Sequence, residues 1–214
     1  MIKKKAALRL PEAIPATDQD KEKSLLAGLE EPREDGDLAD HLYQLAVFYN
    51  RNGRSDLAAM VIDLAVNHCD DPEKPAFFYM RLGQISEQEK QFPRAIRYYA
   101  KGLELKPSEK FVAYFLHNNL GYCLNAEERY KEGEELCRAA IQIDAARANA
   151  FKNLGISLRG QGDVVGAAWA YAEAAQIDPS DSRPFTLLQE LIAKHPRLLM
   201  EQVFAFFRSP LQIS

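Results

Sequence analysis

The sequence lacks any hydrophobic run long enough to cross a membrane. No stretch of its 214 residues approaches the ~20 consecutive apolar residues that a membrane-spanning helix needs, so we expect no membrane insertion. The first residues, MIKKKAALRLPEAIPA, are positively charged like an export signal, but Arg9 and Pro11 interrupt the apolar segment that such a signal requires. We therefore expect a cytoplasmic protein.

Cysteine and one-sided charge are also scarce. Cys69, Cys123 and Cys137 are odd in number and too widely spaced for a disulfide framework, and no histidine joins them at a metal-ligand spacing. We expect no metal and no cofactor. The net charge of −4 lacks the basic excess that is typical of a nucleic-acid-binding protein, so we expect no nucleic-acid partner.

Catalytic motifs are missing as well. The sequence contains no Gly-x-Ser-x-Gly, His-Glu-x-x-His or paired Cys-x-x-Cys. Residues 155–162, GISLRGQG, have the glycines of a phosphate-binding loop, but they follow a predicted helix and lack the Lys-Ser/Thr beside the phosphate. These absences predict that the protein is not an enzyme, and they leave an enzyme with an unfamiliar site as the alternative.

What the sequence does contain is an internal repeat. Four pairs of a leucine and a small residue, which begin at residues 45, 82, 120 and 154, recur at intervals of 37, 38 and 34 residues. Each pair is followed by a second small residue, then by a larger one, then by a third small one, at constant spacing. The four columns are Leu45-Ala46, Leu82-Gly83, Leu120-Gly121 and Leu154-Gly155; Ala58, Ala95, Gly133 and Ala167; Ile62, Tyr99, Cys137 and Tyr171; and Ala65, Gly102, Ala140 and Ala174.

Each unit reads as two antiparallel helices. Apolar residues recur at helical spacing within each half, and short polar turns such as residues 52–54 and 160–163 separate the halves. The small columns allow two helices to approach closely, and one such hairpin cannot bury its own apolar face. The pattern predicts an all-α fold, a right-handed superhelical array of stacked helix pairs, with residues 108–126 forming one long helix.

The columns resemble the tetratricopeptide repeat, whose period is about 34 residues. The resemblance covers residues 39–181, and the unit at 148–181 matches best. It implies an α-solenoid that binds other proteins. We divide the chain into a flexible N-terminal segment at 1–37, four helix pairs at 38–181 and C-terminal capping helices at 182–214.

Two flanking segments have an apolar character. Residues 24–29, SLLAGL, lie within the charged N-terminal segment, and we expect them to dock on the first unit; binding of a partner is the alternative. Residues 197–208 include the sequence FAFF and have an apolar face too wide for a surface helix. We expect this segment to fold back on the cap, and self-association is the alternative.

The first helix of each unit is expected to line a concave groove. Its predicted lining is apolar and aromatic toward the front, and amide-rich and basic toward the rear. In some peptide-binding members of the family, asparagines at the places of Asn119 and Asn153 grip a peptide backbone. The chaperone-tail binders carry polar or basic clamp residues where this sequence has Tyr43, Val47 and Phe115, which argues against that ligand. The predicted peptide-binding residues are Asn118, Asn119, Tyr122, Asn149, Lys152, Asn153 and Arg159.

The sequence therefore predicts a protein–protein interaction module, an adaptor or chaperone-like scaffold. Its partner would be another protein, held by a peptide segment that has an apolar part and an acidic part. The alternative is a structural protein that assembles with copies of itself through residues 197–208.

Overall fold

The computed structural model describes residues 16–29 and 35–196. Within these ranges the chain forms ten α-helices and no strand. The segment 197–208, predicted to be a capping or self-association helix, lies outside the described residues. The helices are α1 Ala16–Ala27, α2 Asp35–Arg51, α3 Ser55–Asn67, α4 Lys74–Gln88, α5 Phe92–Glu104, α6 Lys110–Ala126, α7 Tyr130–Ile143, α8 Ala148–Gly160, α9 Val164–Ile177 and α10 Ser182–Lys194.

The helices pack as sequential antiparallel pairs. The pairs are α2 with α3, α4 with α5, α6 with α7 and α8 with α9, and α10 packs against α9. Each first helix also contacts the first helix of the next pair, from α2 to α8. The predicted all-α array of four helix pairs is confirmed, and α6 is the long helix predicted at 108–126.

The leucine and small-residue columns form the core of this array. Leu45, Leu82, Leu120 and Leu154 are all buried. Gly83 and Gly155 lie directly under the rings of Tyr99 and Tyr171, and a Cβ atom on either glycine would overlap the ring. The glycines thus allow the two helices of a pair to approach at the distance that the tyrosine rings fill, as the repeat predicts.

Residues 16–29 differ from the prediction that the segment 1–37 is flexible. Helix α1 begins at Ala16, and its buried Glu22 accepts hydrogen bonds from the Tyr49 hydroxyl at 2.9 Å and from Arg54 at 3.0 Å. Leu25 and its neighbours in SLLAGL pack against the core of the first pair. Residues 16–29 are held on the first pair because their leucines bury apolar surface there, and Tyr49 and Arg54 compensate the buried charge of Glu22.

None of the helices in the described ranges combines the length and the apolar composition needed to span a bilayer.

Candidate peptide-binding groove

Four successive first helices place one polar side chain each on the same face of the array. These residues are Glu87 on α4, Tyr122 on α6, Lys152 on α8 and Arg183 on α10, and we call them the inner row. Glu87 and Arg183 both act electrostatically on Tyr122 and on Lys152. The four side chains are therefore near neighbours, although they come from four helices. The groove therefore has an acidic group at one end and basic groups at the other.

The inner row crosses the helices diagonally. Relative to the leucine column, whose counterpart on α10 is Leu188, its members shift by three or four residues toward the N-terminus from each helix to the next. A shift of this size is about one helical turn. The row therefore runs from the last turn of α4 to the first turn of α10, and α2 is too short to continue it.

Lys152 is a half-buried cation with no acidic partner among the described residues. Its ammonium donates a hydrogen bond to Asn149 Oδ1 at 2.9 Å and takes part in no ion pair there. Burial lowers the pKa of Lys152, and the positive charge of Arg183 lowers it further. An ammonium in this position is less stable than one in water, because it has lost hydration without gaining a carboxylate.

Arg183, in contrast, is neutralised by its own helix. Its guanidinium makes two hydrogen bonds of 2.8 Å to the two carboxylate oxygens of Asp181. Asp181 is the N-cap of α10 and also accepts from the Arg183 backbone N–H at 3.0 Å. The hydrogen bonds from Arg183 hold the pKa of Asp181 down at about 2, so the pair stays charged over the physiological range.

Glu87 stands at the acidic end of the row. Its Oε2 accepts a 2.7 Å hydrogen bond from the Tyr99 hydroxyl, and burial raises the pKa of the carboxyl. In the part of the chain that the structure describes, Glu87 forms no ion pair. It is a half-buried carboxylate with a single hydrogen-bond donor.

A chain of hydrogen bonds between side-chain amides, which we call the amide relay, leads through Tyr99 to Glu87. Asn153 donates to Asn118 at 3.0 Å, Asn118 donates to Asn119 at 2.9 Å, and Asn119 donates to the Tyr99 hydroxyl at 3.4 Å. Every donor in this relay points toward the Glu87 carboxylate. The relay connects α8, α6, α5 and α4 and fixes the orientation of the groups that it includes.

This relay changes the interpretation of two predicted peptide-binding residues. Asn118 and Asn153 are only 5% and 3% exposed, because their amides bond to each other between α6 and α8. They cannot grip a peptide in the groove while they are buried in this contact. Helical spacing gave their angular position on α6 and α8, but it did not show that the two helices press these faces together.

The other predicted residues have accessible side chains. Tyr122, Asn119 and Lys152 are partly exposed, and Asn149 is exposed beside Lys152. Arg159 is exposed two turns further along α8, where its charge acts on Tyr171 rather than on the inner row. Tyr122, Lys152 and Asn149 are thus brought together by the structure.

Two residues of the row were missing from the predicted binding set. Glu87 lay on the predicted groove face, but a single carboxylate there has no sequence signal that sets it apart. Arg183 belongs to α10, which was interpreted as a cap. One signal was present: Glu87 stands five residues after its column leucine, the place that Asn50 and Asn125 occupy in two other units.

Asn50 and Asn125 join neighbouring first helices. Asn50 donates to the Leu82 carbonyl at 3.4 Å and to Ser86 at 3.2 Å. Asn125 donates to the Asn153 carbonyl at 2.9 Å, and its own carbonyl accepts from Ser157 at 2.8 Å. These bonds close the α2–α4 and α6–α8 junctions. At the α4–α6 junction a carboxylate replaces the amide.

A cavity of about 390 Å³ adjoins the basic end of the inner row. Arg147 stands in its wall, ion-paired with Asp144 at 2.6 Å, and its guanidinium lies 5.0 Å and 5.3 Å from the ring centroids of Tyr114 and Phe115. Flat cation–π contacts of this kind give the wall both an aromatic and a basic character. The lining residues are Tyr114, Phe115, Ala146, Arg147, Ala148, Asn149, Ile177, Asp178, Asp181 and Arg183.

Comparison with known proteins agrees with this architecture. The family model described as tetratricopeptide repeat matches residues 78–109 and 116–147. An uncharacterised TPR repeat-containing protein of Arabidopsis thaliana is 29% identical over 118 residues, which are 51% of this chain and 14% of that protein. Tetratricopeptide repeat protein 7B of Homo sapiens is 29% identical over 119 residues, 53% of this chain and 13% of that protein.

The chain contains tetratricopeptide repeats, as its columns predicted. It matches only about an eighth to a seventh of the length of these curated relatives. Among solved structures, MamA from Desulfovibrio magneticus RS-1, residue 41 to the end, has a TM-score of 0.59 at 21% identity and covers 84% of this chain and 99% of that one. The second TPR domain of human RPAP3, in complex with the HSP70 peptide SGPTIEEVD, has a TM-score of 0.52 at 21% identity over 56% of this chain and 98% of that one. These likenesses show the fold.

Proposed function

We propose that this domain is an adaptor module that holds an extended, acidic segment of another protein along the inner row. Tetratricopeptide repeat domains are general protein–protein interaction modules, and this chain has the fold. The observation that carries the proposal is Lys152: a half-buried ammonium beside Arg183, hydrogen-bonded to an amide and to no carboxylate. An acidic group of the partner would offset both the burial and the like charge.

Two structural neighbours support an acidic ligand. The second TPR domain of RPAP3 holds the HSP70 peptide SGPTIEEVD, and the first TPR of Spaghetti holds the HSP90 peptide SRMEEVD. The places that a chaperone-tail clamp would use are taken here by packed rings. The ring of Tyr43 stacks on that of Phe78 with 4.4 Å between the ring centroids, and the ring of Phe115 packs edge-on against that of Tyr114 with 5.3 Å between the centroids. We therefore favour an acidic side chain within a segment over a chaperone tail.

We further propose that the module works without catalysis, and in the cytoplasm. The absence of catalytic motifs in the sequence supports the first proposal, and the free thiols of Cys69, Cys123 and Cys137 are typical of the reducing cytosol and support the second.

Photo-crosslinking tests the groove assignment directly. A photo-reactive amino acid is placed at Asn149, which is exposed beside Lys152, and at Lys131, which is exposed on the second helix of its pair, as the matched control. In native lysate we expect a discrete adduct from position 149 and none from position 131. The adduct should disappear with Lys152→Met. Equal adducts from both positions, or an adduct that survives Lys152→Met, would contradict the proposal.

Self-assembly through residues 197–208 stays a prediction, since that segment lies outside the described residues. Light scattering on serial dilution tests it, because only a self-associating chain loses mass when it is diluted.

A further inference from the structure

We propose that the partner segment carries a basic side chain that pairs with Glu87 in addition to the acidic group that pairs with Lys152. The groove would then select a segment that has both charges within a short distance. This inference rests on the proposed function and adds the chemistry of the second contact.

Glu87 stands at the position where two other units have an asparagine. Asn50 and Asn125 use their amide N–H groups to close a junction between first helices. A carboxylate has no such donor and cannot make this bond. Cys123, which is buried on the facing helix α6, also lacks the hydroxyl that Ser86 and Ser157 supply at the closed junctions. The α4–α6 junction therefore gives up a structural contact and gains a charge in the groove.

The two carboxylate oxygens of Glu87 have different surroundings. Tyr99 fixes Oε2, and Tyr99 is itself fixed by the amide relay through Asn119. The other oxygen, Oε1, receives no hydrogen bond from the described residues and is not among their buried unpaired atoms. One oxygen positions the carboxylate and the other is open to the groove. An ionised carboxylate only accepts hydrogen bonds, so its complement is an ammonium or a guanidinium.

Glu87 and Lys152 do not neutralise each other. Each acts on the pKa of the other, yet the two form no ion pair. The partly exposed Tyr122 lies between them on α6. Opposite charges that face one groove without contact leave room for a ligand that bridges them.

The separation of the two charges limits the ligand. Two spacings of about 8–10 Å separate the axes of α4 and α8, and an extended chain advances about 3.3 Å per residue. The basic and acidic side chains of the partner are therefore no more than about six residues apart, because the inner-face distance is shorter than the distance between the axes.

Three short peptides test this selection: Ac-KAFAD-NH2, Ac-QAFAD-NH2 and Ac-KAFAN-NH2, which carry both charges, only the acid and only the base. Each is titrated into the isotope-labelled protein while the amide resonances around Glu87 and Lys152 are followed by NMR. We expect KAFAD to bind about threefold to tenfold tighter than either of the others, the effect of one partly screened charge pair.

Variants assign each charge to its site. With Glu87→Gln, the advantage of KAFAD over QAFAD should vanish, while the advantage of KAFAD over KAFAN should remain. With Lys152→Met the pattern should reverse. Glu135→Gln, on the exposed surface of α7, is the matched control and should leave all three affinities unchanged.

The outcomes separate this inference from the proposed function. KAFAD and QAFAD could bind the unmodified protein equally well, while Lys152→Met abolishes the binding of QAFAD. This outcome would overturn the basic contact and leave the acidic one intact. The absence of any shift around Glu87 at millimolar KAFAD would also overturn it. Crosslinking from position 149 would then decide the proposed function independently.

Discussion

The Tyr99 hydroxyl donates a 2.7 Å hydrogen bond to Glu87, whereas the buried hydroxyl of Tyr171 has no hydrogen-bond partner among the described residues. The two tyrosines occupy the same column of the repeat and cover equivalent glycines, Gly83 and Gly155. The aromatic ring therefore has the same packing role in both units, while the hydroxyl has a polar role in only one of them.

Substitution of these two tyrosines by phenylalanine should have different effects. Tyr99→Phe removes a bond to a charged, half-buried group and should lower the free energy of unfolding by about 1–3 kcal/mol. Tyr171→Phe removes a hydroxyl that makes no hydrogen bond, and it should be neutral or slightly stabilising. Urea unfolding measures both. Equal losses would mean that the Tyr99–Glu87 bond does not form in solution.

Gly155→Leu should destabilise the fourth helix pair. A side chain there collides with the Tyr171 ring, and forcing extra methylenes into a filled core usually costs about 1–3 kcal/mol. Ala145→Leu places the same side chain at an exposed position and should change stability by less than about 0.5 kcal/mol. An unchanged melting temperature for Gly155→Leu would show that this column does not lie between the helices.

Asn153→Ala should affect folding more than binding. The substitution leaves the side-chain Oδ1 of Asn118 buried without its donor. The free energy of unfolding, measured with heat or urea, should fall by about 1–3 kcal/mol. Asn149→Ala, on the exposed face of the same helix, is the control and should be nearly neutral. A stable Asn153→Ala protein with weakened ligand binding would instead restore the peptide-gripping role that the family resemblance implies.

Glu87→Gln should stabilise the protein in a pH-dependent way. Burial raises the pKa of Glu87 in the folded state above its unfolded value, so the folded protein binds this proton more tightly. The contribution of Glu87 to stability is complete below the unfolded pKa and is lost as the pH rises through the folded pKa. Glutamine cannot ionise and can still accept from Tyr99.

The Gln variant should therefore melt at a higher temperature than the unmodified protein at pH 7, and the difference should shrink toward zero near pH 4. Melting curves across this range measure it. A difference that grows on acidification would show that the charge of Glu87 stabilises the fold. A carboxylate that costs stability and yet occupies the groove is typical of a residue kept for binding.

The fold was predictable because each unit repeats the same local pattern. The leucine and small columns fix which face of each helix is buried, and a helix pair with one exposed apolar face must stack on the next. Helix α1 was not predictable in this way. Its place depends on apolar packing against the first pair and on the contact of Glu22 with Tyr49 and Arg54, and no local pattern encodes a contact over 27 or 32 residues.

The groove was predictable only in part. Helical spacing placed Tyr122, Asn149 and Lys152 on the inner face. The family resemblance added Asn153, but the approach of α6 buries this side chain against Asn118, which lies 35 residues earlier. The boundary between groove and interior depends on how closely neighbouring first helices approach, and that distance is set by packing between units rather than by the period within one.

The junctions between first helices are braced at different places. Asn50 and Asn125 close the α2–α4 and α6–α8 junctions toward the C-terminal ends of α2 and α6, whereas the α4–α6 junction carries Glu87 in that column. The α4–α6 junction is braced instead at the N-terminal ends of the two helices, where the Glu73 carboxylate accepts hydrogen bonds from the Ser108 and Glu109 backbone N–H groups and from the Ser108 hydroxyl. A ligand that reaches from Glu87 to Lys152 would connect α4 to α8 at the opposite end of α4 and stiffen it there. Slower amide hydrogen exchange in α4 and α6 on binding would be the signature of this stiffening.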